Sequence, residues 1–222
     1  NTHNRGAGRV QPYEYVERIC AWAHGQGLLT HLDGARLFNA AAATGISLER
    51  WSEHFDTVSV CFSKGLGAPV GSALAGTKEA IREARRHRKL FGGGMRQAGV
   101  LAAAALYALE NNRDRLPEDH ANARMLAEAV RSSPGLALRP EQVDTNIVIF
   151  HVEPTLGTAA DFVRDLAARG VAALSIAPTQ IRLVTHRDVS PQDCRAASEA
   201  IQRLAEERAR HRQSLPECAS SI

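Results

Sequence analysis

The chain has 222 residues, 44% of them hydrophobic and 23% charged, with a formal net charge of +3. That length supports a sizeable buried core without disulfide or metal staples, and the even spread of charge excludes a disordered or collagen-like chain. The longest apolar stretch, residues 98–109, falls short of the ~20 residues a bilayer-crossing helix needs, and an aromatic content of 5% leaves no stacking platform for nucleic acid.

In chain order, residues 12–26 predict a helix: proline suits a first turn, and Tyr15, Val16, Ile19, Cys20 and Ala23 fall on one stripe. Gly27 ends it. Residues 28–32 are an apolar run of strand length. Asp33-Gly34-Ala35-Arg36 follows, where a strand of an α/β sheet reaches its carboxyl end and ligands gather. A helix is expected over 37–43, a strand over 57–62 stopping at Ser63-Lys64-Gly65, a strand over 72–76 and a helix over 77–90. The last carries the densest basic run, residues 82–89, which reads as a solvated or subunit-facing surface in preference to a site for an anionic partner. Gly92-Gly93-Gly94 breaks the pattern. Residues 97–111 resume as an Ala-rich helix expected to be buried on most sides, and 117–132 give another. Beyond Pro134, strands over 146–152, 172–176 and 180–184 alternate with helices over 159–169 and 191–212, a compact α+β unit. The expected division is 1–125, 126–215 and a flexible tail, 216–222, with the boundary falling within 115–135.

Of the 27 Lys and Arg residues only three are lysines, Lys64, Lys78 and Lys89, so chemistry needing an amine nucleophile has three candidates. Lys64 stands out, because Ser63, Gly65 and Gly67 around it let the backbone crowd a ligand. Asp33 lies at the preceding strand end, and Arg182 is expected at the start of a late strand. A lysine for a Schiff base and an aspartate for a ring nitrogen are what pyridoxal phosphate requires; the same pair is equally compatible with a structural ion pair at strand ends. By the period of two, His31 shares a face with Asp33, either to orient that carboxylate or as a core histidine. The four cysteines, Cys20, Cys61, Cys194 and Cys218, are dispersed and read as free thiols of a reducing compartment. No HxxxH pair occurs among the nine histidines, and no catalytic metal is expected.

Five runs, in order, resemble the low-specificity L-threonine aldolases: Asn1-Thr2-His3-Asn4, the stretch from His31-Leu32-Asp33-Gly34-Ala35-Arg36 to Ala40, the stretch from Cys61-Phe62-Ser63-Lys64-Gly65 to Gly71, Gly92-Gly93-Gly94-Met95-Arg96-Gln97, and Ile181-Arg182-Leu183-Val184-Thr185-His186. The similarity runs from the first residue to about Leu204.

The resemblance implies an α/β fold of the fold-type I, pyridoxal-phosphate-dependent transferase-like class, in the aspartate aminotransferase superfamily. A partial large domain with a mixed sheet would be followed by a small C-terminal α+β domain. It implies cleavage of L-threonine or L-allo-threonine to glycine and acetaldehyde. The alternatives are a β-eliminating lyase or aminotransferase of the same fold, or a non-catalytic fragment. Lys64 matches the lysine that holds the cofactor, Asp33 the partner of its pyridine nitrogen, Arg36 a residue on the cofactor and carboxylate side, and Arg182 the arginine that clamps the amino-acid carboxylate, for which a guanidinium fork is suited. Arg96 resembles an arginine near the cofactor phosphate or a neighbouring subunit, or else caps the following helix. His3 either lines the site or supports a turn, and His186 and Asn146 are expected to shape the approach from the second domain. Family members carry a long stretch before the position matching Asn1, with the turn that holds the phosphate and a ring-stacking histidine that is the leading candidate for the catalytic base. The chain is therefore expected to be N-terminally truncated, with open sheet edges and exposed apolar surface. A small amino-acid substrate, a homodimer or homotetramer, no nucleic-acid or membrane partner and a cytoplasmic location complete the expectation.

Overall fold

The structure, a computed structural model, describes residues 2–213; the expected tail at 216–222, and Cys218 with it, lies outside the described residues. The chain divides into two compact units, one formed by residues 1–3 and 9–119, the other by residues 4–8 and 120–222. Among the described residues no helix is long and apolar enough to cross a membrane.

In the first unit, helix α1 (Tyr13–Gly25) starts after Pro12 and buries Cys20 and Ala23. Strand β1 (His31–Gly34) begins three residues later than hydrophobicity suggests. Leu28 and Leu29 are exposed, because the Asp56 carboxylate captures the Thr30 N–H at 2.7 Å and admits the chain to the sheet only after that point. Strand β1 pairs in parallel with β2 (Thr57–Cys61), and β2 pairs antiparallel with β3 (Ser72–Gly76), giving a mixed sheet of order β1-β2-β3. Gly34 is required where it stands: a Cβ there would lie 2.5 Å from the Ser59 carbonyl oxygen of the neighbouring strand. Helix α2 (Leu37–Thr44) closes at Gly45 in the left-handed conformation, and a short helix the sequence did not signal, α3 (Leu48–Ser52), is capped by Ser47. Leu32, Leu37, Ala40, Val58 and a fully buried Trp51 form the core here.

Helix α4 (Lys78–Leu90) is capped by Thr77 and ends in His87, Arg88 and Lys89, which suit the negative end of its dipole. Helix α5 (Gly99–Asn111) corrects an expectation: it is not buried on most sides. Only Ala105 and Ala108 are buried, whereas Val100, Leu106 and Tyr107 are exposed, as is all of β3. A run of alanines has nearly uniform hydrophobicity around the helix, so composition could not reveal which face packs.

Helix α6 (Leu116–Arg131) leads into the second unit, a four-stranded antiparallel sheet of order β4-β5-β7-β6, built from β4 (Leu136–Leu138), β5 (Ile147–Val152), β6 (Leu174–Ala177) and β7 (Gln180–Val184). Helices α7 (Ala159–Ala167) and α8 (Pro191–Gln213) complete it, with Phe150, Phe162, Leu166, Ile181 and Ile201 fully buried. Strand β4 was not anticipated: three residues carry too little alternation to register. Residues 4–8 join this unit through Ala7, which packs with Ile147 and Ile149, and through the Thr145 hydroxyl, which donates to the Gly8 carbonyl at 2.7 Å. Thr145→Val keeps the volume but strands that carbonyl, and we expect a loss of about 1–3 kcal/mol in denaturant titration; an unchanged midpoint would show that water replaces the hydroxyl.

His120, 3% exposed at the start of this unit, has its pKa lowered to about 4 by burial, with Arg124 adding repulsion. The unfolded chain, with an ordinary histidine pKa near 6.5, binds the extra proton over that interval and the folded chain does not. Stability is therefore complete above about pH 6.5 and declines as the pH falls toward 4. His120→Gln should flatten the decline in thermal midpoint between those limits; an equally steep decline in the variant would assign it to other groups.

Candidate active site

Asp33 and Lys64 come to the same end of one parallel strand pair. In register, His31 stands opposite Thr57, Asp33 opposite Ser59 and Gly34 opposite Val60. Both strands thus finish in the same direction, β1 at the turn that carries Asp33 to Arg36 and β2 at Cys61, three residues before Lys64. The exposure alternates along β1: Leu32 and Gly34 are buried, His31 and Asp33 open. Asp33 is held at one oxygen, because the Ala35 N–H donates to its Oδ1 at 3.1 Å. Such an Asx turn fixes the carboxylate and leaves the other oxygen for an incoming donor. His31 bonds through Nδ1 to the Thr57 hydroxyl at 2.8 Å, a partner on β2 and not Asp33, and being exposed it is not a core histidine. Arg36, half-buried, stands at the N-terminus of α2 at this same strand end.

The remaining candidates lie elsewhere. Arg96 is exposed in the turn before α5, preceding Gln97 with its positive φ of 50°. His3 is exposed beside the isolated bridge between Thr2 and Val10. In the second unit, Arg182 is the third residue of β7, not its first, and pairs with Ile149 of β5. Its Nη1 donates to Asn4 Oδ1 at 2.7 Å, while its Nε is buried without a partner. Asn146 donates from Nδ2 to the Thr185 carbonyl at 2.8 Å, pinning β5 to the end of β7; exposed His186 borders a cavity of about 300 Å³ within this unit. Asn4 was within reach of the sequence, since it sits in the Asn1-to-Asn4 run, but attention there falls on the histidine. Only the hydrogen bond, which spans 178 residues, gives the asparagine a role.

Residues 1–153 match the sequence profile of the family described as beta-eliminating lyase. The chain belongs to that family. It is similar to the low specificity L-threonine aldolase of Escherichia coli K12, 44% identical over 191 residues, covering 86% of this chain and 54% of the relative. It is also similar to low-specificity L-threonine aldolase 1 of Arabidopsis thaliana, 40% identical over 194 residues, covering 87% and 54%. The chain spans about half the length of these curated relatives. Among solved structures, a threonine aldolase from Leishmania major matches with a TM-score of 0.75 at 22% identity, over 90% of this chain and 58% of that one. That likeness shows the fold: part of the fold-type I architecture expected from the sequence, with a mixed sheet in one unit and an α+β second unit.

Proposed function

We propose that the protein is a pyridoxal-phosphate-dependent aldehyde-lyase that cleaves L-threonine or L-allo-threonine to glycine and acetaldehyde. The observation that carries this reading is the placement of Asp33 and Lys64 at the carboxyl ends of adjacent parallel strands, one offering a positioned carboxylate and the other an exposed amine. The donor set fits the cofactor's chemistry: an amine for its aldehyde, a carboxylate for its ring N–H, and, in Arg182, a guanidinium with a buried unpartnered Nε for a carboxylate. Pyridoxal phosphate, when bound, supplies an aldehyde and a conjugated ring that accepts the electron pair released from Cα–Cβ cleavage.

The chain's own residues do the rest. Lys64 would hold the cofactor through its amine. Asp33, fixed by the Ala35 N–H, would accept the cofactor's ring N–H and favour its protonated form. Arg182, steadied by Asn4, would donate to the substrate carboxylate. Arg36, at the same strand end, would add positive charge for the cofactor's anionic groups and a contact for substrate, and His31 would line the approach. A homodimer or homotetramer, readable by sedimentation velocity, belongs to the same reading.

The experiment is to mix the purified chain with pyridoxal phosphate and offer L-threonine, L-allo-threonine and L-serine separately. Glycine and acetaldehyde in equal amounts from the first two are expected. Pyruvate with ammonia from serine as the dominant products would favour the elimination chemistry named in the family's description, and no product from any substrate would leave a non-catalytic chain.

A further inference from the structure

The loop that carries Lys64 is held from beneath by a buried carboxamide that the proposed reaction leaves unused. Asn112, at the end of α5, is 4% exposed, and its Nδ2 donates to the Leu66 carbonyl at 2.7 Å, across 46 residues of sequence. Leu66 is 1% exposed and packs with Ala68 and Ala108. The Gly67 N–H donates to the Lys64 carbonyl and the Ala68 N–H to the Phe62 carbonyl, each at 2.9 Å, so the loop is closed upon itself around the lysine. Its other side is equally tight: a Cβ at Gly65 would lie 2.8 Å from Leu116 Cδ2 and 2.9 Å from Asn39 Oδ1. Residues 65 and 66 are therefore sunk into the unit while Ser63 and Lys64 stand exposed.

Apolar contact alone does not set an orientation, because burial is non-directional. A hydrogen bond to a buried carbonyl does, since rotating that peptide would leave two buried polar groups unpaired. We propose that Asn112 is a positioning residue for Lys64: by fixing the Leu66 carbonyl it sets the root of the lysine, and hence the direction from which the amine meets an aldehyde. The inference rests on the reading of Lys64 as the residue that captures pyridoxal phosphate.

The test uses the purified chain, Asn112→Leu and Asn112→Asp, with Val58→Ala as a control that weakens the core of the same unit away from the loop. Pyridoxal phosphate is trapped with borohydride and the modified lysine mapped by mass spectrometry. Trapping at Lys64 should slow by about 10- to 100-fold in both Asn112 variants, background labelling of Lys78 and Lys89 should not change, and the Gly67 and Ala68 amides should exchange faster with solvent. Trapping at the wild-type rate, or slowed no more than in Val58→Ala, overturns the inference. If neither variant folds, the wild-type chain decides: the Asn112 side-chain amide protons should exchange slowly, and exchange as fast as a solvated carboxamide overturns the clamp. No trapping at Lys64 in the wild type overturns the cofactor reading instead. The clamp is then judged by acylation of Lys64 with a neutral ester, which should respond to Asn112→Leu and whose indifference refutes it.

Discussion

Lys64→Ala should abolish the visible absorbance that develops with pyridoxal phosphate and lower glycine production by roughly 10²–10⁴-fold, the range of a positioned acid–base group. The large effect follows from scarcity. Lys78 opens α4 and Lys89 closes it, so neither lies at the carboxyl ends of β1 and β2 and neither can substitute. Lys64→Arg should fail as completely, because a guanidinium stays protonated and does not condense with an aldehyde. The side chain is exposed, so the circular dichroism spectrum and thermal midpoint should stay within experimental scatter of the parent. Absorbance titration checks the prediction; a band that survives the substitution at full height would place the cofactor's lysine elsewhere and remove the ground for the lyase reading.

How much of this could be read from sequence depends on the kind of contact. Lys64 and Asp33 were legible because glycine and serine neighbours and strand-length apolar runs are local signals, and the parallel pairing that brings the two ends together follows from the β-α-β order. Arg182 was legible as a residue, though its position within β7 shifted by two. The residues that hold these groups were not legible. Asn112 and Leu66, Asn4 and Arg182, and Thr145 and Gly8 meet across long stretches of chain, and a single asparagine or threonine carries no periodicity to mark it. Local propensity also misplaced the start of β1, where one carboxylate, Asp56, outweighs two leucines. The exposed faces of β3 and α5 were not legible either: the resemblance implied open sheet edges and exposed apolar surface without naming an element, and α5 was expected to be buried.

Arg182 offers the sharper test of substrate choice. Its Nη1 is occupied by Asn4 at 2.7 Å, while its Nε is buried with no acceptor. A buried donor in that state gains from an acceptor, so under the proposed reading a substrate carboxylate would pair with it. Arg182→Leu should raise KM for threonine by roughly 30-fold or more, corresponding to about 2 kcal/mol for a lost charge-assisted pair. Asn4→Ala should raise it about 10-fold, because the fork remains but is no longer held in one orientation. Threonine methyl ester separates binding from folding: it lacks the carboxylate charge, so its slower cleavage should be nearly the same in parent and Arg182→Leu. If ester and acid lose equally, the arginine serves the packing of β7 and not recognition. If Asn4→Ala lowers the thermal midpoint but leaves KM at the parental value, the Asn4 contact is a tether for residues 4–8, and Arg182 needs no help to aim.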